Sequence, residues 1–411
     1  MLKPILKNNI SLLAQYASGA LMPLVLLPRF AHILGLEVFG KIAILLAWAS
    51  YATALIHYAF NLTGPARAAR IPANKWPLLV STLLQARFLL LALALLFIAF
   101  IYFTGLITFE APHYYLLIIF VLSLASACET TWFLQFSDRF TEIAAFSIVG
   151  NLIAMLFGFL FVQGPDPLSA IWACIAICSP AISTSLGSLL LTIIDHGVLP
   201  IASRTEVLGA LNDGRPLFMS QVVALAYGGL GPIVLGSVSG VSEAGSYTVI
   251  SKVVMSLSMA TDLVYTSTYP MMTRMYLSNR LLYLVLARRI FMICFLMSML
   301  IGILGWYLHE PVLNYLFGFG GPSQYNLYFI CLGWIVVGNF GSAVTGYFAL
   351  SSQPKISYKV NLIVMVITLS IGIPAASTLG APGWVAGIII GQLYVVLVAI
   401  SYWRREHEKL A

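Results

Sequence analysis

Residues 78–103 read LLVSTLLQARFLLLALALLFIAFIYF, a run in which Arg87 carries the sole charge. A helix needs about 20 apolar residues to cross the hydrocarbon of a bilayer, and this run exceeds that length. Comparable runs recur along the whole chain, near 10–34, 40–60, 114–134, 143–163, 168–194, 217–236, 245–269, 286–308, 325–350, 360–378 and 383–403, which makes twelve with the first. Only 9% of the 411 residues are charged, and mean hydropathy is +0.96. A soluble domain carries about 25% charge, so water cannot be the solvent of this fold. The chain is read as an all-α polytopic membrane protein.

Positive loop residues resist translocation, so Lys and Arg set the orientation. Lys3, Lys7, Arg67, Arg70, Lys75, Arg139, Arg204, Arg215, Arg274, Arg280, Lys355, Arg404 and Arg405 fall in or beside the segments of one side, which is expected to be cytoplasmic. The other side keeps Arg29 and Lys41 beside short, mildly acidic loops holding Glu110, Asp166, Glu243 and Glu310. An even number of spans places both termini on the cytoplasmic side, and the first run is expected to stay as an uncleaved helix. The net charge of +7 is accounted for by this topology and gives no reason to expect nucleic acid as a partner. The five cysteines, Cys128, Cys174, Cys178, Cys294 and Cys331, all lie in apolar runs, where they act as small hydrophobes with neither disulfide nor metal-ligand spacing.

Laying Phe39-Gly40 on Ala244-Gly245 brings His57 onto Asp262. The first run carries Pro23 and Pro28, and the seventh carries Gly228, Gly229, Gly231 and Pro232. Proline removes a backbone donor and kinks a helix, and interrupted spans at matching places in two halves point to a transport pathway. Both halves begin on the same side, which makes the repeat parallel. The expected organisation is a six-helix lobe over 1–194, a cytoplasmic linker over 195–215 and a second six-helix lobe over 216–411.

An ionisable group at the centre of a membrane helix costs about 2.5–3.5 kcal/mol on insertion scales, so each one needs a partner, a watery cavity or a function. Lys252 and Asp262 share the eighth run, about 15 Å apart along the axis, too far to pair but able to face one cavity. Ser251, Ser256, Ser258 and Thr261 make that run the most polar of the set. His57 forms a polar line with Thr53 and Asn61, and a His57–Asp262 pair across the halves would titrate near neutral pH and couple an ion to movement. Arg87 aligns with Arg288 and Arg289 as a residue that snorkels toward headgroups, and Glu129 reads as interfacial. Arg29, just after Pro28, either lines an outer vestibule or anchors at headgroup level.

Leu211-Asn212-Asp213-Gly214-Arg215-Pro216-Leu217-Phe218-Met219-Ser220 resembles the polar-Gly-x-Pro-x-Phe-x-Ser lead-in to the seventh helix of Wzx-type flippases for O-antigen and other polysaccharide units. These belong to the multidrug/oligosaccharidyl-lipid/polysaccharide exporter superfamily. The resemblance continues through Gly245-Ser246-Tyr247, Lys252 and Tyr269-Pro270, and includes Phe60-Asn61-Leu62 and Trp132-Phe133-Leu134-Gln135 in the first half. His57-Tyr58-Ala59-Phe60 departs from the family, which commonly has an acidic residue before Gly-Phe there; Phe136 and Asn151 depart as well.

The resemblance implies movement of an undecaprenyl-pyrophosphate-linked oligosaccharide from the cytoplasmic to the periplasmic leaflet of the bacterial inner membrane. In that picture Lys252 attracts the pyrophosphate, Ser256 and its neighbours meet sugar hydroxyls, Arg29 serves the outer mouth, and His57 with Asp262 couples an ion. The implied partners are the lipid-linked oligosaccharide, membrane lipids and the polysaccharide polymerase machinery, with no cofactor and no enzymatic step. A multidrug exporter of the same superfamily is the alternative, although its cavity should be acidic. An O-antigen polymerase or ligase would need a large outer loop, and the outer loops here are short. A phosphate-binding nucleotide loop is also missing from the sequence, so ATP is not expected as the direct driver.

Overall fold

The computed structural model describes residues 11–410 apart from 12, 16, 104–115, 198–199, 279, 318–321 and 351–353. Within these residues every regular element is a helix. Lipid offers no water to an unpaired peptide group, and a helix satisfies its backbone within one segment. In chain order the α-helices are α1 (Leu27–Leu34), α2 (Leu36–His57), α3 (Phe60–Ala68), α4 (Trp76–Phe103), α5 (Leu116–Cys128), α6 (Thr131–Phe136), α7 (Phe140–Leu160) and α8 (Pro167–His196). They continue as α9 (Arg204–Gly228), α10 (Gly231–Val238), α11 (Val241–Ser278), α12 (Arg280–Tyr307), α13 (His309–Phe317), α14 (Pro322–Leu350), α15 (Pro354–Leu379) and α16 (Ala381–Leu410).

Ten helical stretches among the described residues are long and apolar enough to cross a membrane. The two expected runs outside that set, 245–269 and 325–350, lie within the 38-residue α11 and the 29-residue α14. The chain is a multi-pass, all-helical membrane protein. Its lipid-facing character shows on α4, where Leu93, Leu96, Phe97 and Phe100 are all exposed. The five cysteines are free thiols.

The polar segment 195–215 is helical over its second half. Ser203 and Glu206 form a reciprocal cap there: the Glu206 N–H donates to Ser203 Oγ at 3.3 Å and the Ser203 N–H donates to Glu206 Oε2 at 2.7 Å. Two orphan donors are thereby satisfied, and α9 starts at Arg204. The interruptions marked by proline and glycine are present. Pro23 lies in a π-helical turn, Met22–Leu26, and α9 stops at Gly228 before α10 restarts at Gly231-Pro232.

Packing divides the chain into two compact units. The first contains residues up to Met22 and Ile33–Val222; the second contains Pro23–His32 and Val223–Ala411. The core of the first gathers Phe60, Leu83, Ala86, Trp132 and Phe133. Gly64 lies flat against the Trp132 indole, where a Cβ would stand 2.6 Å from the ring. The core of the second gathers Tyr283, Cys294, Val364 and Val395, and Trp384 on α16 is fully buried as well. There α15 and α16 approach to backbone contact, since a Cβ on Gly387 would stand 2.6 Å from Gly372 Cα. Glu243 Oε2 accepts the Ala381 N–H at 3.0 Å and so caps the start of α16.

Candidate functional site

Two broken helices bring buried polar groups together in the first unit. Helix α2 ends at His57, and Tyr58 and Ala59 then adopt left-handed backbone conformations with φ of 44° and 59°. Such conformations cost non-glycine residues about 1–3 kcal/mol each and persist only where surrounding structure imposes them. Helix α3 resumes at Phe60, with the Leu62 and Thr63 N–H groups both donating to Ala59 O at 3.0 Å. The second break separates α5 from α6 at Glu129 and Thr130. There the Thr130 N–H donates to Ser188 Oγ at 3.1 Å, and its hydroxyl pairs with that of Thr192 at 2.9 Å, so α8 supplies the partners that the interrupted ladder lacks.

Arg87, projecting from α4, joins the two breaks. Its side chain is fully buried. Nη1 donates to the Glu129 carbonyl, and Nη2 donates to Asn61 Oδ1 at 2.7 Å. In a continuous helix the Glu129 carbonyl would accept from Phe133, but the Phe133 N–H donates to Thr130 O instead, which leaves the Glu129 oxygen for the guanidinium. Burying an uncompensated charge is costly, and the Glu129 carboxylate supplies the compensation. Its Oε1 accepts from the Thr131 hydroxyl, and its Oε2 lies 3.5 Å from His57 Nε2. Arg87 is therefore no headgroup anchor: the sequence shows its depth but not the two breaks that enclose it. Glu129, read as interfacial, is the carboxylate of the same cluster.

The next turn of structure seats the first half of α9 on this break. Tyr58 stacks on Phe218 with centroids 4.2 Å apart and ring planes 21° from parallel. Gly214 faces Tyr58 so closely that a Cβ would stand 3.1 Å from Tyr58 Cδ1 and 3.2 Å from its carbonyl oxygen. Arg67 donates to Gly209 O at 3.0 Å and to the Asp213 carboxylate. Thus Asp213, Gly214 and Phe218 of the segment Leu211–Ser220 each have a structural partner on α3 or at its start.

The other nominated residues sit as follows. Lys252 is exposed on α11 and has no hydrogen bond or ion pair among the described residues. Ser256 is buried on the same helix, its hydroxyl donating to Val253 O at 2.6 Å. Arg29 is half-buried on α1. His57 meets Glu129 within its own unit, whereas the Asp262 side chain lies outside the described residues, although its backbone belongs to α11.

A family model described as polysaccharide biosynthesis protein matches residues 5–276. Among solved structures, the lipid II flippase MurJ in an inward closed conformation aligns with a TM-score of 0.69 at 13% identity, over 97% of this chain and 87% of that one. An inward-facing multidrug resistance MATE family transporter of the MOP superfamily aligns with a TM-score of 0.66 at 13% identity, over 97% of this chain and 95% of that one. A MATE protein in a bent conformation aligns at 0.56, with 15% identity over 99% and 96%. At these identities the likeness is one of fold. A search of curated proteins finds no match.

Proposed function

The chain belongs to the polysaccharide biosynthesis protein family, and from that premise we propose that it flips a lipid-linked oligosaccharide across the membrane by alternating access. The cargo proposed is an undecaprenyl-pyrophosphate-linked O-antigen repeat unit, moved from the cytoplasmic to the periplasmic leaflet of a bacterial inner membrane. The Lys/Arg-rich side, with both termini, is the cytoplasmic one in this reading.

The observation that carries it is Lys252, exposed on the 38-residue α11 and without a hydrogen bond or ion pair among the described residues. A pyrophosphate and its hydrophilic sugars cannot enter hydrocarbon alone, because uncompensated charge in an apolar medium costs many kcal/mol. The Lys252 ammonium offers the compensation while the polyprenyl tail stays in lipid. Arg29 adds a second cation toward the outer side. Ser256 already donates to Val253 O, so toward a sugar it offers acceptor capacity only. The polysaccharide polymerase is the proposed downstream partner.

The fold is also that of a multidrug resistance MATE family transporter, and drug export is the second reading. The positive charge on Lys252 opposes that, since a cavity for cationic drugs should present carboxylates. Deleting the gene and examining the surface glycan separates these two readings from each other and from a polymerase. A flippase predicts loss of glycan, a polymerase predicts glycan truncated to one repeat, and unchanged glycan favours the drug exporter.

A further inference from the structure

We propose that the His57–Glu129 pair, with Arg87 as its fixed counter-charge, is a proton-binding site whose loading releases the first half of α9 from the helix break at Tyr58. The inference rests on the transport reading only in naming what the proton drives. Its residues, contacts and test stand within the first unit.

The cluster has a definite charge count. Arg87 contributes one positive charge, Glu129 one negative charge, and His57 none while its ring is neutral. The hydrogen bonding favours that neutral ring. His57 Nε2 faces Glu129 Oε2 at 3.5 Å, while Nδ1 is buried and has no partner among the described residues. A bare Nδ1 needs no acceptor, whereas a protonated one would be a buried donor left unmet, at a cost of about 1–3 kcal/mol. The remaining sites are no more accommodating. One Glu129 oxygen is held by the Thr131 hydroxyl, and the Arg87 guanidinium, with its Nε also unpartnered, is fully enclosed.

A proton taken from water onto His57 Nδ1 raises the cluster to a net positive charge, beside the fully buried guanidinium of Arg87. The carboxylates on the elements packed around it are already engaged: Glu37 by Lys41 on α2, Asp195 of α8 by Arg139 and, on α9, Asp213 by Arg67 and Glu206 by Ser203, while Tyr58, Cys128 and His196 add no negative charge. This conformation therefore suits the unloaded state, and loading favours one in which the break opens. The proton leaves to water when the break closes again, so the cycle conserves it.

His57 is the last residue of α2, and the next residue, Tyr58, is the one that stacks on Phe218. Displacing His57 displaces that ring and the surface against which Gly214 lies. The Arg67 contacts to Gly209 and Asp213 are the remaining tie on the same stretch, and an exposed ion pair adds little to it. Two left-handed residues without glycine store strain at this junction, which lowers the cost of rearrangement.

The test is hydrogen exchange of residues 204–222 in the full chain in nanodiscs at pH 8 and pH 5.5, corrected for the intrinsic pH dependence of exchange. The expected result is a severalfold faster corrected exchange at pH 5.5. Glu129→Gln, which removes the negative charge, should exchange fast at both pH values. His57→Gln, which keeps a neutral polar side chain but has no basic ring nitrogen, should stay slow at both, and Glu129→Asp should retain the wild-type response. Equal exchange of the wild-type protein at the two pH values overturns the proposal without any variant. Wild-type pH dependence in folded His57→Gln and Glu129→Gln overturns it as well. No lipid-linked sugar is used, so a pH response combined with unchanged surface glycan in the deletion strain would sink the cargo reading and leave the proton site standing.

Discussion

Tyr58 and Phe218 stack with their centroids 4.2 Å apart, although Tyr58 belongs to a helix break and Phe218 to α9, which begins only at Arg204. Aromatic pairs in such geometry contribute about 0.5–1.5 kcal/mol beyond the area they bury. Phe218→Ala should therefore loosen α9, raising hydrogen exchange over 204–222 while leaving α7 and α8 protected. Gly214→Val should act in the same direction by steric conflict with Tyr58, and Gly214→Ala more mildly.

Removing Arg87 strands the Glu129 carbonyl, the Asn61 amide oxygen and the Glu129 charge together. Loss of one member of a buried charged pair costs about 3–5 kcal/mol, so Arg87→Met should lower the unfolding midpoint strongly. Arg87→Lys should recover only part, because an ammonium lacks the planar fork that reaches two acceptors. Adding Glu129→Gln to Arg87→Met should restore some of the loss, and a thermal double-mutant cycle in detergent reads that coupling.

Ala59 holds φ at 59°, a region in which glycine rests without penalty. Ala59→Gly should leave stability unchanged or raise it slightly, since the relief of about 1–2 kcal/mol is offset by the greater freedom of glycine in the unfolded chain. Ala59→Val should be destabilising. Thermal midpoints of the two variants, compared with the parent, decide this.

Asp166 caps α8, accepting the Ser169 N–H at 3.0 Å and the Ser169 hydroxyl at 2.8 Å. These bonds, the backbone one foremost, hold its carboxyl below the usual carboxylate range. A depressed folded value means that the stabilisation is fully present above the unfolded Asp range and is lost as pH falls through the folded value. The midpoint difference between wild type and Asp166→Ala should thus be present at neutral pH and vanish in strong acid.

The helices were legible from apolar run length because lipid leaves the backbone no alternative. The interruptions near Pro23 and Gly228–Pro232 were equally legible, since those residues alter backbone hydrogen bonding by their own chemistry. The breaks at Tyr58-Ala59 and Glu129-Thr130 were not, because none of these four residues is a proline or glycine; packing and borrowed hydrogen bonds from Ser188 and Thr192 impose at least the second. The environment of Arg87 is hidden from the sequence for the same reason, since it depends on the Glu129 carbonyl freed by a break that leaves no mark in composition. The start of α9 did leave one, in the Ser203-x-x-Glu206 spacing within the polar segment. The segment Leu211–Ser220 was legible as a motif, and the structure adds its physical basis in the contacts of Asp213, Gly214 and Phe218.

The most direct measurement of cargo movement is the sidedness of lipid-linked repeat units in a deletion strain carrying wild type, Lys252→Ala or Lys252→Arg at equal expression. Accumulation at the cytoplasmic face in the empty strain and with Lys252→Ala, relieved by wild type and largely by Lys252→Arg, is the predicted result. Units that reach the periplasmic face normally in the empty strain would contradict the flippase, and normal export with Lys252→Ala would contradict the role given to its ammonium.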